Sequence, residues 1–193
     1  MLIIAVIPVA SIASESQVQT ASETDANLVT TTTGNTGNYP YFKEDTYYDI
    51  SNAIDTPLTY EFEVSNCGSI GSGSGGILLG NYGKDKTPCV SIEFYEWGQI
   101  RFYVNNKAGY VTDIKFSGAD HRKNDITHYA ITVDPDAKTA TLYVNGSYVT
   151  SVKHDNLTNL PSAADFPYNF RIGGDHRSGN KKHFEGNIHS VAL

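Results

Sequence analysis

From Val90 to Val104 the chain reads Val-Ser-Ile-Glu-Phe-Tyr-Glu-Trp-Gly-Gln-Ile-Arg-Phe-Tyr-Val, and this alternation permits one hairpin register. A loop of three residues, Glu96-Trp97-Gly98, sets Phe94 opposite Ile100, Ile92 opposite Phe102 and Val90 opposite Val104 on one buried face. Glu93 then lies opposite Arg101, and Ser91 opposite Tyr103, on the other face. A loop one residue shorter or longer would set Phe94 against Arg101 and spoil both faces. Gly98 supplies the left-handed residue that such a loop requires.

The same arithmetic repeats along the chain. Thr59 to Val64 alternates, with Tyr60, Phe62 and Val64 on one face and Glu61 and Glu63 on the other. In Tyr129 to Val144, a turn over Pro135-Asp136-Ala137-Lys138 pairs Val133 with Ala140, Ile131 with Leu142 and Tyr129 with Val144. Asn145-Gly146 makes a two-residue type I′ turn that pairs Tyr143 with Tyr148 and Leu142 with Val149. Further strands fit Gly76–Leu79, Val111–Phe116, Asn169–Ile172 and Glu185–Ala192, and no stretch has the pattern of a substantial helix. Short strands at this spacing predict an all-β fold, a two-sheet antiparallel β-sandwich over residues 39–193. Its core should hold Phe62, Ile92, Phe94, Phe102, Ile131, Leu142 and Ile172.

Composition agrees. Charged residues are 18% of the 193, below the ~25% of an average globular chain, and Gly, Ser, Thr and Asn take their place. A net charge of −7 argues against binding to nucleic acid or to an anionic membrane. Two Cys are too few for a knottin framework or a zinc ribbon.

Four segments then carry a family likeness: His128-Tyr-Ala-Ile-Thr-Val-Asp, Ala140-Thr-Leu-Tyr-Val-Asn-Gly146, Phe170-Arg-Ile-Gly-Gly-Asp175 and Phe184-Glu-Gly-Asn-Ile188. In this order they resemble the laminin-G/concanavalin A-like jelly roll. Gly75 to Tyr82, Ser91 to Tyr95 and Arg101 to Tyr103 are similar to the version attached to secreted Gram-positive glycosidases, sialidases and phosphoesterases. The resemblance covers roughly Tyr39 to Leu193. It implies a non-catalytic carbohydrate-binding accessory module beside a catalytic domain, or else a structural spacer or protein-adhesion sandwich with no sugar site.

Residues 1–13 are apolar and uncharged, too few to span a bilayer, and Ser11-Ile12-Ala13 has the small residues of a signal-peptidase site. They read as the remnant of a signal peptide, with a buried first strand as the alternative. Residues 14–38 lack periodicity and aromatics, as a disordered polar linker does. The abrupt ends predict a fragment of a longer secreted or cell-surface protein. In an exported chain, the pair Cys67 and Cys89 reads as one disulfide, worth about 3 kcal/mol in the chain-entropy model; two free thiols are the alternative.

Chemistry-bearing motifs are scarce. Glu93-Phe-Tyr-Glu96 lacks the central Asp of the paired-carboxylate strand of sandwich glycosidases. Six His are scattered without zinc spacing, and the glycine-rich Gly68–Gly76 has no Gly-Lys-Ser/Thr. No cofactor is required. A structural Ca²⁺ is the one metal such a family invites, and Asp134, Asp136 and Asp175 are candidates by residue type, although solvated turn acids are the plainer account. The aromatics point to a glycan: sugars stack apolar C–H faces on Tyr and Trp, and their hydroxyls need planar hydrogen-bonding partners. Glu93, Tyr95, Arg101 and Tyr103 share the non-core face of one hairpin, with Trp97 at its tip, and Tyr143 and Tyr148 share that of another.

Overall fold

In the computed structural model, described over residues 41–43, 46–51, 53–67, 76–83, 88–106, 108–119, 124–177 and 183–193, the chain forms two antiparallel sheets of six strands. The expected leader (1–13), the linker (14–38) and most of the glycine-rich loop lie outside the described residues. Sheet A contains β1 (Tyr41–Phe42), β3 (Thr59–Ser65), β8 (Thr127–Asp134), β9 (Thr139–Val144), β10 (Ser147–Lys153) and β12 (Gly186–Ala192). Sheet B contains β2 (Tyr48–Asp49), β4 (Ile77–Gly80), β5 (Cys89–Phe94), β6 (Ile100–Asn105), β7 (Val111–Phe116) and β11 (Arg171–Ile172). The orders are β1-β12-β3-β8-β9-β10 and β2-β11-β4-β5-β6-β7, so the chain crosses repeatedly between the sheets.

Each expected hairpin register is present except one. Phe94 pairs with Ile100, Glu93 with Arg101 and Ser91 with Tyr103, and Val133 pairs with Ala140 and Ile131 with Leu142. Tyr143 pairs with Tyr148 across the Asn145-Gly146 turn, but Leu142 faces Thr150 rather than Val149, because a bulge inserts one residue between Tyr148 and Thr150. Both turn residues have positive φ, as a type I′ turn requires.

Inward-facing residues of the two sheets meet in one core. Tyr60 of β3 packs on Phe102 of β6 with ring centres 5.6 Å apart, and Phe94 of β5 meets Tyr129 of β8 at 5.3 Å. Phe62, Ile92, Phe94, Phe102, Ile131, Leu142 and Ile172 are all buried. Gly173, after β11, has a φ of +82°, and the Phe42 ring fills the space a side chain would need.

The disulfide is a correction. Cys67 and Cys89 are both free and buried. Cys67 follows β3 and joins the inter-sheet core. Cys89 shares the alternation of Ser91 and Glu93, so it points to the outer face of sheet B, away from that core. Two sulfurs on opposite sides of a sheet cannot meet without turning a strand over. Burial pushes both thiols up to about 12.

Two outcomes follow. Leu142→Ala should cost about 2–5 kcal/mol in urea denaturation, as a large-to-small change at a fully buried site. Alkylation in denaturant without reductant should tag both cysteines, whereas the native chain should react slowly; a mass showing neither tag until reductant is added would restore the bridge.

Candidate functional site

One row of side chains runs across all six strands of sheet B. Asp49 pairs with Arg171, Arg171 with Gly80, Gly80 with Ser91, Ser91 with Tyr103, and Tyr103 with Asp113. A second row, one step along, holds Glu93, Arg101 and Lys115. Period-two alternation puts both rows on the outer face, because Val90, Ile92, Phe94, Phe102 and Ile114 occupy the inner one. Small residues stand at the centre and long polar ones toward the rims. The segment after β11 folds over that centre: His176 N–H donates to the Tyr82 carbonyl at 2.9 Å, and Asp175 packs against Gly80.

Guanidinium groups organise the face. Arg101 donates through Nε and Nη2 to the two oxygens of Asp113 at 2.8 and 2.9 Å, and through Nη1 to Glu93 at 3.4 Å. Its Cζ lies 4.7 Å from the Tyr103 ring centre and 5.4 Å from that of Tyr95. Arg177 binds Asp175 through Nε, and its Nη2 makes ion-pair contacts with Asp175 and, at 3.6 Å, Glu93 without a well-directed hydrogen bond to either. Its Cζ sits 4.5 Å from the Tyr82 ring. Arg171 donates to Asp49 at 2.6 Å and to the Asp175 carbonyl at 3.1 Å, with its Cζ 3.9 Å from the Tyr47 ring. Each arginine is thus held edge-on by a carboxylate and covered by a tyrosine.

Glu93 is the hub. It is only 2% exposed, accepts from Ser91 Oγ at 3.0 Å and lies between Arg101 and Arg177. The hairpin arithmetic placed it on the outer face opposite Arg101, which holds; the solvent-exposed pair that this implied does not, because Asp175 and Arg177 roof it. Burial opposes the charge on Arg101, but the hydrogen bonds it donates to Asp113 and the fields of Glu93 and Asp113 outweigh it and raise its pKa. Arg101 in turn holds Asp113 below the usual carboxylate range. Burial raises the Tyr82 and Tyr103 hydroxyls above the usual phenol range.

The other expected residues are scattered. Trp97 stands at the β5–β6 tip, 83% exposed, with φ of +59° beside the left-handed Gly98. Tyr143 packs on Tyr148, ring centres 6.3 Å apart, on the outer face of sheet A, the opposite side of the sandwich. Asp134, Asp136 and Asp175 do not converge. Asp134 accepts from the Ala137 amide within the β8–β9 turn that also carries Asp136, whereas Asp175 lies on sheet B, neutralised by Arg177. A cation does not fit a carboxylate already held by a guanidinium, and the described residues contain no cluster of three potential metal ligands.

Several site residues were not found in the sequence. Arg171, Arg177, Asp49, Tyr47 and Tyr82 come from segments far apart in the chain, and only the sheet order brings them together. Asp113 was legible in principle, because Val111–Phe116 alternates and an antiparallel β6–β7 pairing faces Tyr103 with Asp113. On sheet A, Ser65 Oγ and His189 Nε2 lie 2.7 Å apart, a contact invisible in sequence. Both are buried, which suits a structural hydrogen bond and not an accessible nucleophile.

Residues 68–193, well over half of the chain, match the family model described as the concanavalin A-like lectin/glucanases superfamily. Among solved structures, a CBM40 module of the Ruminococcus gnavus IT-sialidase bound to α2,3-sialyllactose is 19% identical with a TM-score of 0.57, covering 81% of this chain and 88% of that one. The NanB sialidase of Streptococcus pneumoniae is 20% identical with a TM-score of 0.56, and the match covers 80% of this chain but 25% of that enzyme. Domains LG4-5 of the mouse laminin α1 chain are 15% identical with a TM-score of 0.51, covering 78% and 40%. These likenesses establish the fold. No curated protein is similar to the chain in sequence.

The Arg101–Asp113 pair gives a pH test. A carboxylate with a depressed folded-state pKa stabilises the fold above its unfolded pKa, and that contribution disappears as pH falls through the folded value. The stability difference between the wild type and Asp113→Asn, from urea midpoints, should therefore be constant near neutrality and shrink below about pH 4. A difference that grows in acid would contradict the pairing.

Proposed function

The chain belongs to the concanavalin A-like lectin/glucanase superfamily, and on that premise we propose that it is a non-catalytic carbohydrate-binding module of a secreted or cell-surface enzyme. The observation that carries this reading is the outer face of sheet B. Tyr82, Tyr95 and Tyr103 offer stacking surface and hydroxyl groups there, and the guanidinium groups packed against their rings hold them in place. The arginines are preordered by their carboxylates, so a ligand need not organise them. Catalysis is disfavoured by the same pairing: Asp49, Glu93, Asp113 and Asp175 are each tied to a guanidinium, and none stands free as an acid or base.

Two comparisons support an accessory role. The Ruminococcus gnavus module is itself a carbohydrate-binding unit of a sialidase, bound to α2,3- and α2,6-sialyllactose. In the NanB sialidase the similar part is a quarter of a longer enzyme, which supports an attached catalytic domain in the parent of this chain. Among the described residues, no helix is long and apolar enough to cross a membrane. A spacer or adhesion sandwich is the second reading, favoured by one observation: the arginine network is satisfied within the protein, so it can stand without a ligand.

A shallow face of this kind should bind at micromolar to millimolar Kd, about −4 to −8 kcal/mol, with avidity added by tethering. On a glycan array, Tyr103→Ala should weaken the wild-type signal by roughly tenfold, from the loss of one stacking ring, and Arg101→Ala should weaken it at least as much. Binding unmoved by either change would place the site elsewhere. No binding to any glycan by a folded chain would favour the spacer.

A further inference from the structure

We infer that the sheet B face selects neutral glycans and disfavours acidic ones; this rests on the carbohydrate-binding reading above. A sugar carboxylate or sulfate is recognised by a guanidinium whose paired N–H groups point outward, since the fork matches a planar or tetrahedral anion only when both prongs are available. Arg101 has given its fork to Asp113, Nε and Nη2 to the two carboxylate oxygens, and a third donor to Glu93. Arg171 has done the same with Asp49 and the Asp175 carbonyl. Arg177 faces two carboxylates at once, and the atom between them, Nη2, is buried. An acidic ligand would have to displace one of these internal pairs and leave its carboxylate unpaired beside the new anion.

Charge makes the same point. With Lys115, which lies over the Tyr95 ring, the described residues of this face carry four cations against the four carboxylates of Asp49, Glu93, Asp113 and Asp175. These described residues are neutral in sum, on a chain of net charge −7, so they set up no net positive field to draw an anion. What the site leaves to a ligand is the half-buried surface of Tyr82, Tyr95 and Tyr103, the complement of a neutral sugar's C–H face.

The test is an affinity panel in which each neutral glycan is matched with its sialylated, uronate-bearing or sulfated counterpart, lactose against α2,3- and α2,6-sialyllactose among them. The wild-type chain should favour the neutral member of the pairs it binds by roughly tenfold or more, and that binding should change less than about twofold between 0.05 and 0.5 M NaCl, where screening would erode an ionic contact. Asp113→Asn, which releases the Arg101 fork, should raise the acidic-to-neutral affinity ratio by roughly tenfold. A wild-type preference for acidic members would overturn the inference and leave the carbohydrate-binding reading standing. Failure of the folded chain to bind any member would overturn both. The wild-type panel decides the matter even if the variant does not fold.

Discussion

The register of β5 against β6 is the constraint on which both the core and the candidate site depend. It places Ile92 and Phe94 inside, against Tyr129 and the opposite sheet, and the same step places Glu93 outside, against Arg101. A slip by one residue would drive Glu93 into an aromatic core and turn Phe94 to the outer face. Trp97 shows how firmly the turn is held: a bulky side chain sits there in the left-handed region, exposed to solvent, with Tyr95 N–H donating to the Gln99 carbonyl at 2.7 Å.

From that register the outer face acquires its character. A carboxylate as buried as Glu93 is tolerable because Arg101 and Arg177 flank it and Ser91 donates to it. The charges are therefore spent internally, locking side chains in place. The surface left for a ligand is aromatic and hydroxylated, which is why recognition by stacking and neutral hydrogen bonds follows from the geometry more readily than recognition of an anion.

Alternation made much of this legible in the sequence. The hairpins around Trp97 and around Pro135 were fully determined by it, and so were the buried residues they contribute. What escaped falls into three physical kinds. The bulge at Val149 leaves the alternation of its neighbours intact on paper and moves only the pairing. The two-residue strands β1 and β2 are too short for any period, and exist because β12 and β11 offer edges to pair with. The partners of Glu93 were the third kind: Arg177 reaches it from a loop more than eighty positions away, and sheet order alone reveals that. The expected disulfide failed for a related reason, since two cysteines near one loop say nothing about which side of a sheet each faces.

Tyr103 and Tyr143, the aromatic candidates of two hairpins, lie on opposite sides of the sandwich, since β6 and β9 belong to different sheets. The two outer faces now make rival claims to a ligand, and a single measurement separates them: amide-resolved NMR titration of the chain with a neutral glycan that it binds. The sheet B account predicts that the largest shift changes fall on Tyr82, Tyr95, Arg101, Tyr103 and Asp113. Changes centred on Tyr143 and Tyr148, with sheet B silent, would contradict it.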